Sequence, residues 1–145
     1  MVHDAKRQIS WAITNRCFLA CDHCLVESGP SGESMDVRSA ARVAEHMPRG
    51  GEYSLEITGG DPFSDLELLR EVLKVLGGSR EGRRVTIHTT GQWAVDDEAT
   101  RRTLRGIREL GADGLDFLCD DEIHRNAGLT SENYHRAVRI TREVF

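Results

Sequence analysis

The sequence contains no apolar run of about 18 residues, which is the length that a membrane-spanning helix needs. Its first residues are polar and charged, so they do not resemble the apolar segment of a secretory signal. Basic residues are also fewer than acidic ones, since the chain has 19 Lys and Arg and 24 Asp and Glu, and the formal net charge is -5. The basic residues are scattered, which argues against nucleic-acid binding through phosphate neutralisation. We therefore expect a cytoplasmic protein with no membrane span and no nucleic-acid partner.

Cysteine is scarce, and its distribution argues against a disulfide framework. The chain has four cysteines, and three of them, Cys17, Cys21 and Cys24, fall within eight residues. Cysteines this close together in sequence pair poorly. Free thiols are typical of proteins in a reducing cytoplasm. These three residues therefore call for a different explanation.

The composition is that of a globular protein with one core. Hydrophobic residues make up 39% and charged residues 30% of the 145 residues, which are ordinary proportions for such a protein. A chain of this length can bury a substantial core. No low-complexity segment or linker divides it. We therefore expect residues 1–145 to form a single domain.

The three clustered cysteines have the spacing C-x3-C-x2-C. Three thiolates on one short loop can hold three irons of a four-iron, four-sulfur cluster, and the fourth iron is then left without a protein ligand. Ligation and surroundings set the reactivity of such a cluster. A metal with an open position can bind a substrate or cofactor. The spacing therefore favours a chemically active cluster.

A structural zinc site is the main alternative for these cysteines. Zinc usually takes four protein ligands, often from two pairs that lie far apart in sequence. His23 could be a fourth ligand, but it lies between Cys21 and Cys24 and would crowd them. The cluster interpretation is therefore preferred, and zinc stays open as an alternative.

Short apolar runs alternate with helical patterns along the whole chain. The predicted strands span 8–14, 53–58, 84–90 and 114–119. The first predicted helix spans 36–47, and the second runs from a capping box of Ser64 and Glu67 to a stop at Gly77-Gly78. The third spans 96–110 and ends before Gly111, and the fourth starts at Thr130 or Ser131. Alternating strands and helices predict an α/β fold with parallel strands and right-handed crossovers.

Each predicted strand is followed by a chemically distinctive loop. In parallel strand–helix folds these loops share one rim, at the carboxyl ends of the strands, where ligands bind. The four loops hold the three cysteines, the run Gly59-Gly60-Asp61-Pro62, the run Thr89-Thr90-Gly91-Gln92 and the run 119–124. The sequence therefore predicts one functional site built from several loops at that rim.

One face of the predicted sheet is unusually polar. Glu56, His88 and Asp116 alternate with apolar residues on their strands, whereas parallel sheets usually read apolar on both faces. We therefore expect a partly open barrel with a polar cavity, and this expectation would fail if these side chains pointed at the helices. The alternatives are that the polar groups satisfy one another, or that another chain covers them.

These features together resemble the radical S-adenosylmethionine (radical SAM) superfamily. The resemblance covers nearly the whole chain, and its most specific part is the cysteine loop after the first strand joined to the Gly-Gly-acid-Pro motif after the second. It implies a parallel partial (β/α) barrel of the radical SAM type. The family core has six βα units and four are readable here, so we expect residues 1–145 to be a core domain that is truncated at the C-terminus.

The resemblance also implies cofactors and chemistry. Cys17, Cys21 and Cys24 would ligate a [4Fe-4S] cluster, and the open iron would chelate S-adenosyl-L-methionine. An electron, from a donor such as flavodoxin or ferredoxin, would cleave the cofactor to a 5'-deoxyadenosyl radical that takes hydrogen from a substrate. The segment 120–128 is similar to segments of family members that modify peptides or proteins, so a peptide or protein is the expected substrate.

The remaining site residues are implied in the same way. Gly59, Gly60, Asp61 and Pro62 match the methionine-binding motif of the family. Two glycines let the backbone approach a ligand closely, and a carboxylate can accept hydrogen bonds from an ammonium group. The usual family residue is glutamate, so either backbone carbonyls do most of the binding or Asp61 reaches the ligand through a shift of the loop.

Three further positions correspond less specifically to family residues. His23 would pack near adenine, with a solvated loop residue as the alternative. Thr90 would lie near the cofactor, and Asp120 near its ribose. Cys119 is expected to pack as a small apolar residue at a strand end, and a further cluster ligand or a radical partner is the alternative.

Two alternative functions remain consistent with the sequence. An iron–sulfur electron carrier or cluster-binding module would keep the cysteines but need no Gly-Gly-Asp-Pro loop. A zinc-stabilised partner-binding domain would bind zinc tightly and have no colour. Radical SAM chemistry is the preferred function, because it alone uses both loops and the polar cavity.

Overall fold

The computed structural model of the protein describes residues 7–51, 53–77 and 82–145. Its strands are β1 (Arg7–Thr14), β2 (Tyr53–Gly59), β3 (Arg84–Thr89) and β4 (Gly114–Phe117). Its helices are α1 (Val37–Glu45), α2 (Leu66–Leu76), α3 (Asp97–Glu109), α4 (Glu122–Asn126) and α5 (Ser131–Val144), with a 3-10 turn at Pro62–Asp65 before α2. The alternation predicted from the sequence is confirmed.

The strands form one open parallel sheet in the order β1-β2-β3-β4. Consecutive strands are neighbours, so each crossover returns the chain to the next position in the sheet. The predicted α/β fold with parallel strands is therefore confirmed, and the open sheet is consistent with part of a barrel. All four loops that follow the strands emerge at one edge.

The apolar face of the sheet packs on the helices. The buried strand residues on this side include Ile13, Leu55, Ile57, Val85 and Ile87, and they form one core with Leu69, Leu73, Leu104, Ile107 and Ile140 of the helices. This core joins the sheet to the helices. Among the described helices, none is both long enough and apolar enough to cross a membrane.

The opposite face of the sheet is polar, as expected. Ser10 donates a hydrogen bond to Glu56 Oε2 at 2.8 Å, and His88 Nδ1 lies 4.0 Å from Glu56 Oε1. Asp116 is paired in register with His88 and is exposed. None of these side chains joins the helix-packed core. The polar groups therefore partly satisfy one another on an open face.

The start of α2 differs from the prediction. Asp65, and not Ser64, is the N-cap, because its side chain accepts from Leu68 N at 3.2 Å. The Ser64 hydroxyl instead donates to the carbonyl oxygens of Arg16 and Asp61. The capping box was wrong because Ser64 is recruited by a loop that is distant in sequence.

The helix end at Gly77 is confirmed, since Gly77 is left-handed (φ 67°) and its N–H donates to Leu73 O and Lys74 O. Gly78, the second residue of that predicted stop, lies outside the described residues. The sequence did not predict the short helix α4. β4 ends at Phe117, which leaves Cys119 in a loop and exposed. The expectation that Cys119 packs at a strand end was therefore wrong.

Candidate functional site

The loop between β1 and α1 carries the three clustered cysteines to the wall of one cavity of about 250 Å³. Backbone hydrogen bonds close this loop on itself. Cys17 N donates to Gly29 O at 2.9 Å, Gly29 N donates to Asn15 O at 3.2 Å, and Asn15 N donates to Glu33 O at 2.7 Å. The cysteines are thus held by an ordered backbone at the carboxyl edge of the sheet.

The three thiols have different surroundings. Burial raises the pKa of Cys17 to about 11. Burial also raises the pKa of Cys21, and the nearby Cys24, Asp121 and Asp22 act in the same direction. Burial alone would raise the pKa of Cys24, but hydrogen bonds led by that from Ser28 N outweigh it and lower that pKa. In the metal-free protein Cys24 therefore has the most thiolate character of the three.

We expect alkylation of the reduced, metal-free protein to label Cys24 much faster than Cys17. A pKa of about 11 against the ordinary 9.0 lowers the thiolate fraction of Cys17 about a hundredfold at mildly alkaline pH. Iodoacetamide labelling followed by peptide mass spectrometry measures each site separately. Equal labelling rates at Cys17 and Cys24 would contradict the structure, and the exposed Cys119 provides an internal reference.

Among the described residues, the three cysteines do not form a group compact enough for one metal ion. Three sulfurs around one tetrahedral zinc, each about 2.3 Å from the metal, lie about 3.8 Å apart. Among the described residues, the only such triad of donor atoms within 4.8 Å of one another belongs to Cys21, His23 and His124. The three cysteines line the same cavity, but in the described part of the chain their sulfurs do not form such a compact triad.

The loop after β2 braces the cysteine loop. Gly60 N donates to Thr14 O and Asp61 N donates to Arg16 O, both at 2.8 Å. A Cβ on Gly59 would lie 2.1 Å from Thr14 O, and a Cβ on Gly60 would lie 2.3 Å from Arg16 O. Both glycines also line the cavity. Close contact with the backbone that leads into Cys17 therefore requires glycine at these positions, whatever ligand the cavity holds.

Asp61 is completely buried and does not line the cavity. Its Oδ1 accepts from Phe63 N at 3.0 Å, and its Oδ2 accepts from Thr90 N at 2.9 Å and from Thr90 Oγ1 at 2.6 Å. The Thr89 hydroxyl donates to both oxygens at 3.0 Å. Burial raises the pKa of the Asp61 carboxyl, and these hydrogen bonds oppose the rise.

The carboxylate of Asp61 therefore ties the loop after β2 to the loop after β3. Trp93 Nε1 extends the network by donating to Thr89 Oγ1 at 2.9 Å, and the Trp93 ring stacks on Phe63 with centroids 4.1 Å apart. Both oxygens are occupied by protein donors. The sequence suggested two routes for binding a methionine group, through backbone carbonyls or through the Asp61 carboxylate. Because the carboxylate is occupied, the backbone carbonyls are the route that this arrangement leaves available.

The structure brings most of the predicted site residues together. Those on the cavity wall are Cys17, Cys21, His23, Cys24, Gly59, Gly60 and Thr90. Asp61 and Pro62 lie behind the wall in the core, and Pro62 begins the 3-10 turn. Asp120 lies apart from the cavity, where it contacts Arg125 at 2.7 Å and His135 at 3.1 Å.

Two histidines of the cavity wall were not among the predicted site residues, although His88 was expected on the polar face of the sheet and His124 in one of the four rim loops. His88 comes from the polar face of β3, and His124 comes from α4. Asp121 caps α4 by accepting from His124 N at 2.9 Å and also contacts His124 Nδ1 at 2.8 Å. The Asp-x-x-His spacing of a capped first turn is the signal that could have found His124.

Comparisons with known proteins place this site in a family. A sequence profile of the Radical SAM superfamily matches residues 11–144. YydG of Bacillus subtilis (strain 168), whose name assigns it to peptide biosynthesis, is 21% identical over 118 residues, which cover 80% of this chain. An AdoMet-dependent heme synthase of Oleidesulfovibrio alaskensis is 29% identical over 109 residues, which cover 74% of this chain.

The fold has a counterpart among solved structures. The crystal structure of methylornithine synthase (PylB) matches 98% of this chain with a TM-score of 0.64 and 18% sequence identity. The chain spans 36% of the length of YydG, 26% of the heme synthase and 43% of methylornithine synthase. Because the profile matches nearly all of its residues, the chain belongs to the Radical SAM superfamily, whose members use a [4Fe-4S] cluster and S-adenosylmethionine.

Proposed function

We propose that this chain binds a [4Fe-4S] cluster through Cys17, Cys21 and Cys24 and holds S-adenosyl-L-methionine beside it, as the cofactor-binding part of a radical SAM enzyme. The observation that supports the proposal most directly is that the residues of three different loops line one cavity. Its wall combines the three thiols with the backbone of Gly59 and Gly60 and with the Thr90 loop. An electron carrier would need the thiols alone.

The residues of the cavity have distinct proposed roles. The buried Cys17 anchors the inner side, while Cys21 and Cys24 are only half-buried and leave an approach for an electron donor such as flavodoxin or ferredoxin. Gly59 and Gly60 present backbone groups to the ligand. Thr58 and His88 supply polar side chains from the open face of the sheet. When bound, the cluster and cofactor supply a carbon radical that takes a hydrogen atom from the substrate.

A peptide or protein is the proposed substrate class. The support is the name of YydG, together with the similarity of the segment 120–128 to segments of family members that modify peptides or proteins. Transfer of deuterium from a deuterated peptide pool into 5'-deoxyadenosine, but not from the same amino acids in free form, is the expected result. Transfer from neither would remove the peptide proposal and leave the cofactor chemistry standing.

Anaerobic reconstitution with iron and sulfide tests the cofactor proposal. We expect about one cluster per chain, and 5'-deoxyadenosine after addition of reductant and S-adenosylmethionine. Serine at Cys17, Cys21 or Cys24 should remove the product. Cys119→Ser is the matched control, because Cys119 is exposed outside the cavity and should leave both results unchanged.

The possible outcomes separate the alternatives. A full cluster that yields no 5'-deoxyadenosine, with or without the remaining length of the relatives supplied, would favour a cluster-binding module. Loss of the cluster in Cys119→Ser with retention in Cys17→Ser would overturn the assignment of the ligands. Tightly bound zinc that iron and sulfide cannot replace would favour the zinc domain.

A further inference from the structure

A second set of metal-ligating atoms overlaps the cysteine loop. Cys21, His23 and His124 each direct one donor atom to a region in which all three lie within 4.8 Å of one another. The set joins two parts of the chain, since Cys21 and His23 belong to the loop after β1 and His124 belongs to α4. The His23 and His124 rings meet edge to face with centroids 5.3 Å apart.

The orientation of His124 is already set by its neighbour. Asp121 contacts His124 Nδ1 at 2.8 Å, and the His124 side chain is only 18% exposed. A carboxylate that holds one ring nitrogen leaves the other nitrogen free to ligate a metal, which is the usual arrangement around histidine ligands. Because Asp121 also caps α4, the ring is held by the same residue that begins the helix.

We infer that Cys21, His23 and His124 form a site for a single zinc ion in the cluster-free protein. One thiolate and two imidazoles belong to the usual ligands of zinc, and three protein ligands leave a fourth position for water. Donor atoms around one zinc ion lie about 3–4 Å apart. Cys21 is half-buried and His23 exposed, so rotations of these two side chains can close the remaining distance.

Zinc at this site and the cluster exclude each other, because both need the sulfur of Cys21. This exclusion rests on the proposed function, whereas the zinc site does not. Zinc would hold the cysteine loop against α4 until iron and sulfide arrive. It would also slow cluster assembly in proportion to its occupancy.

Titration of the reduced, metal-free chain with Co²⁺, followed by Zn²⁺ competition, tests the inference. We expect one ion per chain, with the absorption of a tetrahedral site and a thiolate-to-cobalt charge-transfer band. His124→Ala and His23→Ala should each weaken binding at least tenfold, and Cys21→Ser should remove the charge-transfer band. His23 is exposed, so its replacement tests the site even if His124→Ala disturbs the fold.

The double variant Cys17→Ser/Cys24→Ser is the matched control. It should bind cobalt as the parent protein does, although it cannot assemble the cluster. Loss of cobalt binding in this variant, or unchanged binding in both histidine variants, would overturn the inference, because the ion would then be held by the three cysteines.

Cluster assembly distinguishes this inference from the proposed function. Zinc added first should slow assembly in the parent protein but not in His23→Ala. If no variant assembles a cluster while zinc binding depends on the histidines, the proposed function fails and the zinc site stands. If clusters assemble and zinc binding is unchanged in the histidine variants, the zinc site fails and the proposed function stands.

Discussion

Replacement of Gly60 by alanine is expected to reduce cluster loading to less than about a tenth of that of the parent protein, since overpacking of this kind forces the backbone to shift. A Cβ at this position would lie 2.3 Å from Arg16 O and 2.7 Å from Arg16 C. Both atoms are backbone and cannot move aside as a flexible side chain could. The segment that leads into Cys17 must therefore shift, and the three sulfurs lose their common geometry.

Gly29→Ala is the matched control for this prediction. Gly29 lies in the same cysteine loop, but a Cβ there meets no atom within 4 Å. Its backbone bonds to Cys17 and Asn15 do not depend on the side chain. Iron and sulfide content per chain after anaerobic reconstitution gives the measurement, and circular dichroism checks the helices. Equal loading of Gly60→Ala and Gly29→Ala would show that the Gly60 contact does not position the cysteines.

Replacement of Asp61 by alanine is expected to lower the free energy of unfolding by about 3–5 kcal/mol. The substitution leaves the N–H groups of Phe63 and Thr90 and the hydroxyl of Thr89 without their buried acceptor. A loss of this size is a large share of the stability of a typical domain. Chemical denaturation of the metal-free protein, followed by circular dichroism, measures it.

Asparagine at position 61 is expected to be destabilising as well. Each carboxylate oxygen faces a backbone N–H, from Phe63 on one side and from Thr90 on the other. These donors cannot reverse their direction, so the amide NH₂ group must meet one of them in either orientation. Asp65→Ala is the control, because it removes a helix cap from the same loop and should cost only about 1 kcal/mol.

These results would also change how Asp61 variants are interpreted. Weaker cofactor binding in Asp61→Ala would follow from displaced loops, without any contact between the carboxylate and the ligand. An Asp61→Ala protein as stable as Asp65→Ala, but with weaker cofactor binding, would contradict the buried network and restore a direct contact.

The sequence by itself determined the features that depend on neighbours along the chain. Alternating strands and helices, the cysteine spacing and the glycine stop of α2 at Gly77 are local patterns. The core residues followed from the same alternation, since period-two burial on strands needs no knowledge of the partner strand. Four distinctive loops at one rim followed from the topology rule for parallel strands.

Only the tertiary structure decided the features that depend on pairs distant in sequence. The Asp61 carboxylate points into the core because its donors Thr89 and Thr90, 28 and 29 residues away, lie at the end of β3 and at the start of the loop that follows it. Ser64 does not cap α2 as predicted, because its hydroxyl donates a hydrogen bond to Arg16 O, 48 residues earlier. His124 lies close to Cys21 because it is carried by the short helix α4, and the sequence of α4 has no apolar periodicity that would predict a helix. Local propensity sets which elements form, but the direction of a polar side chain is decided by whichever donor or acceptor the fold brings beside it.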